Sequence, residues 1–179
     1  MSDQARELLE GIAAGSEAAL EEFYQAYQPR ITAYLRSRLN DPAIASDILN
    51  EVMLEVWKHA GRYEGRSKPL TWVLGIAHHK VVDHYRRQRR NMEELTHDFP
   101  EQDAVTASDA LEGAQESDRV QECMGKLPET QRQVVHLAFF EDLSYQEISE
   151  IADCPEGTVK TRMFHAKKSL KQCLARLSA

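Results

Sequence analysis

The chain has 179 residues, 42% of them apolar, 28% charged, and a formal net charge of −7. That length suits one ordinary domain or two small ones with modest cores, and no apolar run reaches membrane-spanning length. Such an acidic total argues at first against a nucleic-acid partner, but screening confines each charge to about 8–10 Å, so distribution outweighs the sum.

The distribution is lopsided. His79 to Arg90, HKVVDHYRRQRR, is basic with one aspartate, and Thr158 to Ala179 holds no acidic residue. Between them, Asn91 to Asp118 holds many Asp and Glu and neither Lys nor Arg. Three single cysteines, Cys123, Cys154 and Cys173, form no CxxC pair, which predicts reduced, buried thiols and no zinc site. The polar, acidic N-terminus MSDQARELLE lacks signal character, so a soluble cytoplasmic chain is expected.

Apolar spacing is helical nearly everywhere and no segment alternates as a strand, so the expected class is all-α. A short helix is predicted over Asp3–Ala13. Ser16 caps a second helix running to Leu39, with Pro29 a candidate kink. Asp41-Pro42 opens a third, through Trp57, and the loop AGRYEGRSKP leads to a fourth over Leu70–Arg89. Residues 91–116 are acidic and poor in large apolar side chains, and read as a flexible, self-repelling linker. Two small helical units, 1–90 and 117–179, flank it. In the second, Val120, Cys123, Met124 and Leu127 form one stripe, and Pro128 opens the next helix.

Ser144 and Glu147 form a capping box ahead of Ile148, Ile151 and Ala152. After the tight CPEG reversal, with Gly157 available for positive φ and Thr158 as cap, a last stripe runs Val159, Met163, Ala166, Leu170, Leu174 and Leu177. Two helices, a short turn and a cationic second helix are the signature of a DNA-reading helix-turn-helix. One face must be buried while the other enters the major groove, where base edges are distinguishable. The free side carries Lys160, Thr161, Phe164, His165, Lys168 and Lys171. A merely solvated lysine-rich helix is the alternative, and the capping box and total lack of acid weigh against it. Ser149 and Asp153 stand where such units usually carry alanine and glycine; both side chains are small enough, and aspartate tolerates left-handed backbone.

In the first unit, Asp47, Asn50, Glu51 and Glu55 share the side of a helix opposite its buried stripe, an acidic ridge suited to a basic protein partner, or simply to water. At this point DILNEVMLEVW, YEGRS, TWVLGIA and DHYRRQRR, followed by LPETQR, FEDLSYQEIS and CPEGTVKTR, resemble the small two-domain extracytoplasmic-function (ECF) sigma factors of the sigma-70 family. The resemblance covers nearly the whole chain except the first dozen residues and the linker.

It implies a region 2 domain at 1–90, which binds core polymerase and recognises and melts the −10 element, and a region 4 domain at 117–179, which reads the −35 element. Asp47, Asn50, Glu51 and Glu55 would dock on the β′ clamp helices of core RNA polymerase, with the β flap as a further contact. Arg62, Tyr63, Arg66, Ser67, Trp72, His79, Lys80 and Asp83 would surround a base flipped from the −10 element. Arg86, Arg87 and Arg90 would follow the backbone of the opening duplex, with Arg89 beside them. Thr158, Lys160, Thr161, Arg162, Phe164, His165 and Lys168 would meet the −35 element. Asn50, Arg66, Leu70, His79 and His165 depart from the family's commoner residues. The implied function is promoter recognition for a specific regulon under the control of an anti-sigma partner, with promoter DNA, no membrane, no enzymatic activity, no cofactor and no metal.

Two rival readings are open to tests. His78, His79, Asp83 and His84 in HHKVVDH suggest a metal-dependent hydrolase, but no further ligand set, phosphate loop or nucleophile motif accompanies them. A stand-alone helix-turn-helix regulator would have no use for the TW segment and the polybasic helix end.

Overall fold

The computed structural model describes the backbone of residues 2–95 and 115–177. The described residues form eight α-helices and one 3₁₀ turn: α1 (Ser2–Ala13), α2 (Glu17–Arg38), α3 (Pro42–His59), the turn Ala60–Arg62, α4 (Pro69–Leu95), α5 (Gln115–Gly125), α6 (Glu129–Phe139), α7 (Tyr145–Ile151) and α8 (Glu156–Leu177). Most of the predicted linker, 96–114, lies outside the described residues; its first and last few residues extend α4 and begin α5.

Local chemistry sets the ends. Ser16 Oγ accepts from the Ala19 N–H and Asp41 Oδ1 from the Ala43 N–H, so both predicted caps are in place. Pro29 does not split α2. It lies on the exposed side, where water can satisfy the carbonyl that its missing N–H leaves free. Ser144 and Glu147 complete the capping box in both directions.

The start of α8 differs from expectation. The Thr158 and Val159 N–H groups bond the Pro155 carbonyl, so the helix begins at Glu156 and Thr158 is inside it. Proline's fixed φ already suits a helix entrance, which removes the need for a threonine cap. The left-handed residue of the turn is Asp153, φ 46°, and not Gly157.

The cysteine expectation is overturned as well. Cys123 on α5 and Cys173 on α8 are joined in a disulfide across 50 residues, with Cα atoms 5.8 Å apart, and only Cys154 is free among the described residues. Sequence spacing finds pairs that are neighbours along the chain; this pair meets because α5 lies along α8.

The core of the first unit is built from Leu9, Ile12, Phe23, Ile31, Leu35, Val52, Val56, Val73, Leu74, Ala77 and Val81. That of the second uses Met124, Val134, Leu137, Ile148, Ile151, Val159, Met163 and Ala166. Val120, predicted for its stripe, is exposed. The two units touch: α6 packs on α2, and α7 packs on α4.

Candidate nucleic-acid interface

The helix-turn-helix is assembled as its stripe requires. Ile148 and Ile151 of α7 and Val159, Met163 and Ala166 of α8 are buried together, which leaves Lys160, Thr161, Phe164, His165, Lys168 and Lys171 on the outer face. Phe164 is 66% exposed, a large cost for a phenyl ring unless something covers it, and His165 meets it edge-on at 5.5 Å. Thr161 turns its hydroxyl back to the Gly157 carbonyl, 3.0 Å away, and must rotate to reach a base. Lys160 is held by Glu156 at 2.8 Å, which raises its pKa, so phosphate would replace a carboxylate there. Arg162 and Thr158 are half-buried. Arg162 donates to Cys154 Sγ at 3.5 Å and so braces the turn rather than the outer face.

In the first unit, the loop before α4 carries exposed Arg62 and Arg66, with Arg66 paired to Glu64. Tyr63 donates its hydroxyl to the Ser67 carbonyl at 2.6 Å and tilts against Trp72, ring centroids 5.5 Å apart. Trp72 is half-buried, packed against the core on one side and Tyr63 on the other. His79 is exposed on α4, as are Arg86, Arg87 and Arg90, with Arg86 3.6 Å from Asp83.

Lys80 belongs as much to the acidic ridge as to this set. It reaches Glu55 at 2.9 Å and Glu51 at 3.5 Å, and His59 lies 3.2 Å from Glu55. The Lys80 hydrogen bond outweighs the opposing effect of burial and holds the Glu55 carboxyl below its ordinary range. The ridge is therefore uneven: Asp47 and Asn50 are exposed, while Glu51 and Glu55 are half-buried and tied down. Among the described residues no three His, Cys, Asp or Glu side chains converge as a metal site, and α4 turns His78 inward and His79 outward.

Sequence reasoning missed the polar contact between the two units. Arg38, only 2% exposed, shares Glu129 Oε1 between its Nε and Nη2. Its Nη1 donates to the Tyr34 hydroxyl at 2.9 Å and lies 3.4 Å from His78 Nδ1. Gln133 Nε2 donates to the same hydroxyl and approaches the same ring nitrogen, each at 3.0 Å. Two donors converging on His78 Nδ1 require that atom to accept, so the ring is neutral with its proton on Nε2. Burial, then the Arg38 and His79 charges, push its pKa down to about 4.

Two further ion pairs cross the same boundary. Arg30 Nε donates to Glu141 at 2.6 Å, and Lys68 meets Glu147 at 2.9 Å. Burial acts to raise the Glu147 pKa, but Lys68 and Ser144 outweigh it and hold it low. The available sequence signal was weak: Arg38 falls on the buried stripe of α2 between Leu35 and Leu39, a position where a charge demands a partner.

Residues 23–91 match the family described as Sigma-70 region 2, and residues 117–170 match Sigma-70 region 4. The ECF RNA polymerase sigma factor SigK of Mycobacterium tuberculosis is 32% identical over 178 residues, covering 97% of this chain and 95% of the relative. Its Mycobacterium ulcerans counterpart is 34% identical with the same coverage. Among solved structures, the sigma factor RpoE in complex with the anti-sigma factor NepR from Bartonella quintana aligns with a TM-score of 0.72 at 22% identity, over 87% of this chain and 98% of that one. CnrH in complex with the cytosolic domain of CnrY gives 0.70 at 19%, over 97% and 98%. At these identities the two structures speak for the fold.

Proposed function

We propose the following division of labour for a chain that belongs to the ECF sigma factors of the sigma-70 family. It is a transcription initiation factor, not an enzyme and not a stand-alone regulator. Residues 1–90 act as the polymerase-binding and −10-reading unit, 91–116 as the linker and 117–179 as the −35-reading unit.

The exposed Asp47 and Asn50 make first contact with core polymerase, and Glu51 and Glu55 join as Lys80 turns towards DNA. Tyr63, Trp72 and His79 receive the unstacked −10 base, with Arg62, Arg66, Arg86, Arg87 and Arg90 on the backbone. Lys160 and Lys168 grip phosphates of the −35 element, while Thr161, Phe164 and His165 face base edges and thymine methyls. The observation that carries this reading is the acid-free outer face of α8, with a two-thirds-exposed phenyl ring among its cations.

Geometry adds one requirement. In the closed chain α8 packs on α7 and α7 on α4, and the Arg162 charge on α8 is felt at His78 on α4, so the two DNA-facing sets lie within one small helical bundle, roughly 30 Å across. The −10 and −35 elements, by their names, are about 25 base pairs or roughly 85 Å apart on B-form DNA. Both cannot be read at once until the Arg38, Arg30 and Lys68 contacts open, and polymerase binding supplies that opening. An anti-sigma partner in the cytoplasm would act by holding the closed form.

The decisive experiment is transcription by sigma-free core polymerase. Added chain should select discrete start sites on promoter DNA carrying both elements. Random initiation, with both proteins folded, would overturn the assignment.

A further inference from the structure

Between α1 and the loop that precedes α4 lies a cavity of about 390 Å³, within the range of small-ligand clefts. Residues Arg6, Glu10 and Ala13 of α1 form one wall; Gly61, Tyr63 and Glu64 form the other. The α1 helix precedes residues 23–91, the part that matches region 2.

The two walls are fitted to each other. Gly65 has φ +70°, which disfavours any side chain, and a Cβ there would stand 2.7 Å from the Arg6 guanidinium. Arg6 Nη2 donates to the Gly65 carbonyl at 3.4 Å. Arg6 thus shapes the loop, and glycine at 65 is what lets it approach. The buried Ala5, Leu9 and Ile12 anchor α1 beneath, so its outer side is held in place rather than swinging free.

The chemistry of the cleft suits one kind of ligand. The Tyr63 ring, fixed by its bond to Ser67 and by Trp72, lines the cleft as an aromatic surface on which a base can stack. Arg6 can donate to ring nitrogens or carbonyls. Glu10, with no ion-pair partner among the described residues, can accept from an exocyclic amine, whereas Glu64 is already paired with Arg66. Arg62 and Arg66 stand outside to meet the flanking phosphates.

Building on the −10 assignment above, we propose that the base received by Tyr63 enters this cleft with α1 as its second wall, that Trp72 and His79, outside the cleft lining, meet the adjoining nucleotides, and that Arg6 and Glu10 select a base bearing an exocyclic amino group. Thymine, which has none, is the base this wall rejects.

The test uses holoenzyme assembled from the full chain and fluorescein-labelled single-stranded −10 oligonucleotides of the non-template strand. One set is intact, one is abasic at each position in turn, and one carries each of the four bases at the position found to matter. Ala13→Phe fills the cleft from an exposed site; Glu10→Gln removes the acceptor charge without changing size. Ala13→Phe should weaken the intact oligonucleotide about tenfold, the scale of one lost base stack, and should not weaken the oligonucleotide abasic at the read position. Glu10→Gln should reduce the preference for amino-bearing bases over thymine at that position alone. Equal effects of Ala13→Phe on the intact and every abasic oligonucleotide would overturn the α1 wall while leaving the −10 assignment standing. Failure of the unsubstituted holoenzyme to bind any oligonucleotide would overturn both.

Discussion

Removing one carboxylate should open the chain. Glu129 is the anion that faces Arg38, whose guanidinium is 2% exposed, while the Glu129 side chain is 37% exposed. A hydrogen bond to a charged group contributes about 1.5–3 kcal/mol, and partial exposure of Glu129 places this one at the lower end. Glu129→Ala should therefore shift the balance between closed and open forms by about 1.5 kcal/mol, or roughly tenfold. Single-molecule energy transfer between dyes on unnatural side chains at the exposed positions 46 and 169 would read that shift directly. A double-mutant cycle with Arg38→Ala isolates the pair: the coupling should exceed about 1 kcal/mol. Purely additive effects, with an unchanged distance distribution for Glu129→Ala, would refute the idea that this pair holds the two units together.

Three further outcomes are expected. Lys160→Glu should abolish −35-dependent transcription and leave polymerase affinity unchanged; loss of polymerase binding would break the division of labour. His78 is held neutral in the folded chain, at a pKa of about 4, against 6.5 unfolded. The unfolded chain therefore binds the extra proton first as pH falls, and stability should drop between pH 6.5 and 4 by at most about 1.4 kcal/mol per unit. His78→Gln should flatten that part of the denaturation profile. Reduction of Cys123–Cys173 releases a 50-residue loop, for which chain entropy sets a loss of about 4 kcal/mol. Thermal melts with and without reductant should differ for the native chain and for Cys154→Ser, and coincide for Cys123→Ser.

The helices were legible because their signals are local. Ser16, Asp41 and the Ser144–Glu147 box act within four residues, and the stripe of α8 repeats every turn. The cap of α8 was misread because Thr158 and Pro155 carry competing start signals, and only the backbone geometry decides between them. The disulfide and the Arg38 cluster were illegible for a different reason. Each depends on which helices lie side by side, at separations of 50 and 91 residues, and no periodicity encodes that. The outer face of α8 could be read in the sequence as a list of cations. That Arg162 turns inward to Cys154, and that Lys80 lies between Glu51 and Glu55, could not.

The contact of α6 and α7 with α2 and α4 also bears on rivalry among initiation factors. Polymerase is shared, and a factor that must be prised apart before it can engage gives up part of its intrinsic attraction for the enzyme. Every 1.4 kcal/mol invested in closure lowers apparent occupancy tenfold when polymerase is scarce. A substitution in the Arg38 cluster, far from any nucleotide, would thus move this chain up the queue without altering a single promoter contact.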